Sequence, residues 1–201
     1  MKKGLVIFVT FLIAFSTPAQ KWASDLWHEG QLILDTGDTL RGIIKYDFQK
    51  DLLQYGDKQG STEAFTARKV LYFQIFDKTA SQYRSFYALP YSSGGGYKTP
   101  VFFELLVEGK ITLLSRENLE YRTYSSPYYY YGSYTRLVLI NRFYFLEENG
   151  DITEFVGKKS DLLSLMGRYG QDVDQYMRKN KLKIEDKEDF ASVVTYYNSF
   201  F

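Results

Sequence analysis

The stretch RLVLINRFYFLEENGDITEFV (residues 136–156) decides the fold of this chain. Phe143-Tyr144-Phe145-Leu146 and Ile152-Thr153-Glu154-Phe155 flank Asn149-Gly150. Two-residue turns that match strand twist need positive φ at both central positions, and Asn-Gly adopts it at low steric cost, so the stretch predicts an antiparallel hairpin. The same pattern recurs toward the N-terminus. Residues 101–115 predict a second hairpin turning at Glu108-Gly109, Gln82 to Leu89 a strand, and residues 70–76, apolar on both faces, a central strand. Within residues 31–48, Leu40, Ile44, Tyr46 and Phe48 alternate with Arg41, Lys45 and Asp47, and Thr36-Gly37 supplies another tight turn.

Beyond residue 156 the apolar period changes from two to about 3.6. Leu162, Met166, Tyr169, Val173 and Tyr176 predict one amphipathic helix of about twenty residues behind a Ser160 cap. Arg178, Lys179 and Lys181 place positive charge at its C-terminal end. A shorter helix follows Asp186, with Phe190, Val193, Val194 and Tyr197 on one stripe. The expected fold class is α+β: an antiparallel β-sheet or partly open barrel followed by two C-terminal helices.

The N-terminus reads differently. Lys2 and Lys3, the apolar run over residues 4–15 and Thr17-Pro18-Ala19 have the form of a secretory signal peptide, with cleavage expected between Ala19 and Gln20. A dozen apolar residues are too few to span a bilayer. The expected organisation is a leader over 1–19, a β-rich domain over 20–156 and a helical segment over 157–201, in a protein exported to the periplasm, outer membrane or cell surface. About 180 residues remain after the leader, enough for one well-buried domain.

Composition then removes several chemistries. The chain has 25 Lys+Arg against 24 Asp+Glu, a formal net charge of +1, so no overall field favours nucleic acid. It has no cysteine, which excludes disulfides, thiolate metal sites and thiol nucleophiles. Its single histidine, His28, cannot assemble the usual zinc sets or proton relays and reads as a surface residue at the start of the first strand. With 19 Tyr and 16 Phe, the core is expected to be aromatic. Gly157-Lys158-Lys159-Ser160 matches only the tail of a phosphate loop, because Ile152 stands where the leading glycine belongs. Neither a Gly-x-Ser-x-Gly elbow nor a calcium loop is present. No metal or cofactor is expected.

Carboxylate pairs occur at Asp35 and Asp38, at Glu104 and Glu108, around Glu147 to Asp151 and at Asp172 and Asp174. Most lie at turns or on solvated helix faces. Glu104, between Phe103 and Leu105, reads as an outward-facing strand residue, and it is the carboxylate whose pKa a cleft would raise.

Two segments interrupt the strand pattern with Tyr, Ser and Gly: residues 91–97 and residues 121–134. Tyrosine offers a broad amphipathic contact at low entropy cost while Ser and Gly let the backbone adapt. Tyr91 and Tyr97 in the first loop, and Tyr124, Tyr128, Tyr129, Tyr130 and Tyr131 in the second, are therefore the candidate binding residues. The expected function is non-enzymatic binding of a protein or glycan of the cell envelope, with room for peripheral membrane association and none for nucleic acid. Two other readings remain open: a hydrolase of envelope glycans acting through carboxylates such as Glu104 and Glu108, and a small outer-membrane barrel, although these hairpins are shorter than membrane-spanning strands.

The opening residues 30–44, GQLILDTGDTLRGII, resemble the first hairpin of Sm-like and SH3-like small barrels, which implies strand geometry and not RNA binding. The leader cut before Gln20, the β-rich middle and a helical end finishing in Tyr196-Tyr197-Asn198 resemble small exported proteins of unknown function from Bacteroidota. That resemblance implies no catalytic residue.

Overall fold

A computed structural model describes residues 23–92, 94–125 and 132–201, so the expected leader and Tyr128 to Tyr131 lie outside the described residues. Ten antiparallel strands follow a short 3-10 turn: β1 (His28–Leu34), β2 (Thr39–Asp47), β3 (Leu52–Gly56), β4 (Thr62–Thr66), β5 (Val70–Asp77), β6 (Gln82–Tyr91), β7 (Thr99–Val107), β8 (Thr112–Ser125), β9 (Ser133–Leu146) and β10 (Ile152–Phe155). They form one open sheet in the order β10-β9-β8-β7-β6-β5-β1-β2-β3-β4. The turns fall at the expected places, but only the glycine of each pair takes positive φ, Gly37 at 93° and Gly150 at 84°, and not Thr36 or Asn149; each glycine donates its N–H back across the turn, to Leu34 O and Glu147 O.

The sheet cannot be flat. Only Ala67, Arg68 and Lys69 connect β4 to β5, yet β3, β2 and β1 lie between them in the strand order. Four strand spacings laid flat measure about 19 Å, whereas the chain from Thr66 to Val70 reaches at most about 14 Å. The first five strands therefore curl round on themselves. Gly30 and Gly42, directly opposite each other on β1 and β2, allow the bend, since a Cβ on either would collide with a backbone carbonyl, of Gln74 or of Gly56. Inside the curl Leu32, Ile44, Leu53, Val70 and Phe73 are fully buried. Phe73 stacks on Phe86 with ring centroids 4.5 Å apart, and Tyr46 meets both rings and Phe102 edge-on.

Three helices cover the other half of the same sheet face: α1 (Lys159–Leu165), α2 (Gly170–Asn180) and α3 (Lys187–Asn198). Leu162, Met166, Val173, Met177, Phe190 and Val193 pack there against Leu113, Phe143 and Phe145. The expected twenty-residue helix is thus two. Gly167 takes a φ of 57°, which stops α1, and a 3-10 turn over Gly167–Tyr169 redirects the chain. The break also moves the stripe: Met177 is buried where a continuous helix would bury Tyr176, and Tyr176 stacks instead on Tyr196 at 4.1 Å. α1 is capped at Lys158 and not at Ser160, and the N3 residue Asp161 accepts the Lys158 N–H at 2.7 Å. α3 follows the sequence closely, with Asp186 capping Asp189 N and all four expected apolar residues buried.

Two strands escape the sequence pattern. β3 and β4 turn only a few large apolar side chains inward, Leu53, Tyr55 and Phe65. Residues 70–76 do form a central strand, but Leu71 is exposed at a bulge where β5 meets the end of β1. His28 is buried, not superficial, because it begins the inner strand β1 and its Nδ1 lies 3.2 Å from Phe76 O. Among the described residues no helix is long and apolar enough to cross a membrane.

Candidate binding cleft where two strands part

β7 and β8 pair only between Glu104–Val107 and Leu113–Ser115, with a register shift between Leu105 and Val107. Beyond that point β7 stays bonded to β6 and β8 to β9, so the two strands diverge within the sheet. At the apex of the split, on the covered face, lies a buried cluster of charge. Arg84 on β6 donates to both carboxylate oxygens of Glu104 on β7, at 2.8 and 2.7 Å, and to Glu117 on β8 at 2.6 Å. Asp77 lies 3.5 Å from the same guanidinium, and Lys187, the first residue of α3, reaches Glu104 at 3.3 Å. One arginine thus joins the two strands where they part.

Glu104 therefore faces inward, against the outward orientation expected from alternation. Phe102 and Glu104 share the covered face, while Phe103, between them, packs on Tyr144 on the other. Its titration also runs against expectation. Burial pushes the Glu104 carboxyl up, but the hydrogen bonds and charge of Arg84, with Lys187, more than offset this and hold it below the ordinary range. Burial acts on Asp77 in the same sense, and is outweighed by hydrogen bonds from Thr79 and the charge of Arg84. Glu108 is an exposed turn residue, so the Glu104 and Glu108 pair does not face one cavity.

On the opposite face the split opens into a cleft of about 580 Å³. Tyr91, Tyr97, Thr99 and Val101 line one side; Arg116, Asn118, Arg142, Tyr144 and Glu154 line the other. The β2–β3 turn closes the end. Its Asp51, at a φ of 53°, accepts the Phe102 N–H at 3.2 Å and the Tyr46 hydroxyl at 2.7 Å, and lies 3.4 Å from Arg116. Arg116 and Arg142 stand directly opposite each other across β8 and β9, a like-charge pairing that needs compensation. Asp51 supplies it for Arg116, and Glu120 at 2.9 Å with Glu154 at 3.5 Å for Arg142. Tyr91 of one wall meets Tyr144 of the other at 5.5 Å, edge-on, and packs on Phe103 beneath at 5.4 Å. Burial, then the charge of Glu154, pushes the Tyr144 hydroxyl up to about 12, and the same causes raise that of Tyr91. Both hydroxyls stay protonated at neutral pH and serve as hydrogen-bond donors and acceptors.

Two of the seven candidate tyrosines, Tyr91 and Tyr97, belong to this cleft. Tyr91 is the last residue of β6 and half-buried, where a loop position was expected, whereas Tyr97 is 99% exposed. Tyr124 does not join them. It lies on β8, eight residues beyond Arg116 and so about 26 Å along the strand, because residues 121–125 and 133–134 are strand and not loop. Tyr128 to Tyr131 lie outside the described residues. Arg116, Arg142, Tyr144, Asn118 and Glu154 were missed, since only strand register brings them together. Among the described residues no group of three or more His, Asp or Glu is placed to hold a metal ion. No known protein family, curated protein or solved structure matches the chain.

Proposed function

We propose that this chain is an exported, non-enzymatic envelope protein that holds a neutral glycan in the cleft between β7 and β8. The observation that supports the reading is the composition of that cleft: tyrosine rings on one wall, and planar hydrogen-bonding groups from Arg116, Asn118, Arg142 and Glu154 on the other. Rings give a flat apolar contact for a sugar face, and fixed planar donors and acceptors bind hydroxyls in pairs. Each arginine already has a carboxylate partner, so the cleft favours a hydroxyl-rich neutral ligand over an acidic one. The open sheet, with β4 and β10 at its edges, favours this reading over a membrane-embedded barrel.

Calorimetry of the purified protein against neutral cell-envelope oligosaccharides tests the proposal. Tyr97→Ala removes an exposed ring and is expected to weaken binding at least about tenfold while leaving stability within about 0.5 kcal/mol. Binding that is unaffected by Tyr97→Ala and Arg142→Ala would overturn the site. Appearance of cleaved sugar would replace binding by hydrolysis through Glu117 or Glu154. Cell fractionation tests the export half: the product is expected to lack residues 1–19, and recovery of the uncleaved chain in the cytoplasm would reject it.

A further inference from the structure

From residue 120 on β8 and up to residue 138 on β9 the hairpin runs on as a two-stranded arm with little else against it. Its register is unbroken, from Glu120↔Val138 to Ser125↔Ser133. Such a ribbon is marginal in water on its own. Among the described residues its cross-strand side-chain contacts include the Thr123 and Thr135 hydroxyls at 2.8 Å, the Tyr124 and Tyr134 rings stacked at 5.5 Å, and the Arg136 guanidinium, which lies 4.6 Å over the Tyr124 ring and donates to its hydroxyl at 3.5 Å. On one face the apolar stripe that begins at Leu119 and Leu139, packed on the curled core, continues into solvent as Tyr121, 77% exposed, opposite Leu137, 39% exposed. On the other face Arg122 and Arg136 stand directly opposite each other. Unlike Arg116 and Arg142 in the cleft, neither forms a salt bridge among the described residues. The acidic residue nearest to them on that face is Glu120 at the root of the arm, and it is taken up by Arg142 at 2.9 Å; residues 121–140 hold the two arginines and no acidic residue.

We propose that this arm is a membrane-docking element whose Arg122 and Arg136 meet the phosphates of anionic phospholipids while Tyr134 and Tyr124, on the same face, settle at the headgroup level. Charge complementarity selects the occupant. Two opposed guanidinium groups without carboxylates repel each other until an anion lies between them, and phosphate accepts the paired hydrogen bonds that guanidinium offers. The flanking tyrosines distinguish a lipid surface from a soluble polyanion, because amphipathic rings gain from lying at the boundary between water and acyl chains. The arm goes beyond the glycan reading and does not depend on it, since the cleft lies at the root of the same hairpin.

The test is vesicle flotation with protein lacking residues 1–19, which retains every described residue. Binding is expected to vesicles containing phosphatidylglycerol, to be much weaker on pure phosphatidylcholine, and to fall in 0.5 M salt as screening shortens the reach of the charges. Arg122→Gln with Arg136→Gln is expected to weaken binding about thirtyfold, and Arg122→Lys with Arg136→Lys, which keeps the charge but not the paired hydrogen bonds, to weaken it less. Failure of the wild-type protein to float with phosphatidylglycerol, equal binding to both vesicle types, or glutamine variants that bind as wild type would each overturn the proposal. So would capture by soluble heparin without flotation. Should the glutamine pair fail to fold, the lipid and salt dependence of the unaltered protein still decides. Tyr97→Ala leaves flotation unchanged, so failure here and failure of the glycan reading are separable.

Discussion

Arg84→Met is expected to destabilise the protein by about 3–5 kcal/mol, the usual cost of removing one partner from a buried ionic cluster. Among the described residues Arg84 alone forms salt bridges with Asp77, Glu104 and Glu117 together. Without it the buried Glu104 keeps only Lys187, while the buried Asp77 and the half-buried Glu117 lose their cationic partner. Domains of this kind have about 5–15 kcal/mol in total, so the loss is a large fraction of the whole. Adding Glu104→Gln to Arg84→Met is expected to recover part of it, because one uncompensated charge is then gone, and non-additivity in a double-mutant cycle reports the coupling. Urea denaturation measures both. A loss below about 1 kcal/mol would show that the cluster is hydrated and of little consequence to the fold.

The same cluster sets the acid limit of stability. Glu104 and Asp77 are held below their ordinary values in the folded state, so the unfolded chain binds more protons than the folded chain across the acidic range. Stability from these groups is therefore complete above the unfolded values near pH 4, and is lost as pH falls through the folded ones. Arg84→Met removes the main group that depresses Glu104 and the charge that adds to the Thr79 hydrogen bonds in depressing Asp77. Its acid unfolding is accordingly expected to begin at higher pH than that of the wild type, followed by circular dichroism across a pH series.

Strand patterning was legible where local chemistry decides it. Thr36-Gly37, Glu108-Gly109 and Asn149-Gly150 mark three of the turns, and the stripe of Phe190, Val193, Val194 and Tyr197 marks α3. β3 and β4 were not legible, because residues 49–69 carry few large apolar side chains and owe their strands to closing the curl. The cleft was legible only in part, for a related reason. Reading residues 121–134 as a loop concealed that β8 and β9 pair without a break from Thr112↔Leu146 to Ser125↔Ser133. That register, once known, places Arg116 opposite Arg142 and Arg122 opposite Arg136. Glu104 was misread because alternation assigns one face to the core, whereas in β7 both faces are covered, by the curled core on one side and by Leu114 and Tyr144 on the other.

Val173→Asp is expected to act more locally than Arg84→Met while costing several kcal/mol. Val173 on α2 is fully buried among Leu162, Met166 and Phe190 in a cluster separate from that inside the curl. An aspartate there must be ionised without a partner or take up a proton, and either state costs several kcal/mol against valine. The helices also have the means to leave: α1 and α2 are short pieces joined at Gly167, with little stability away from the sheet. Amide exchange is therefore expected to lose protection first in α1, α2 and α3 and at the β8–β9 end around Leu113 and Phe145. β1, β2 and β5 should keep theirs, as their core is Leu32, Ile44 and Phe73. Lys187, at the start of α3, ties the helices to Glu104 and hence to Arg84. Equal loss of protection in both halves would mean that this ionic link fuses the two cores into one cooperative unit. Unchanged protection throughout would remove Val173 from the core and overturn the packing described for α2.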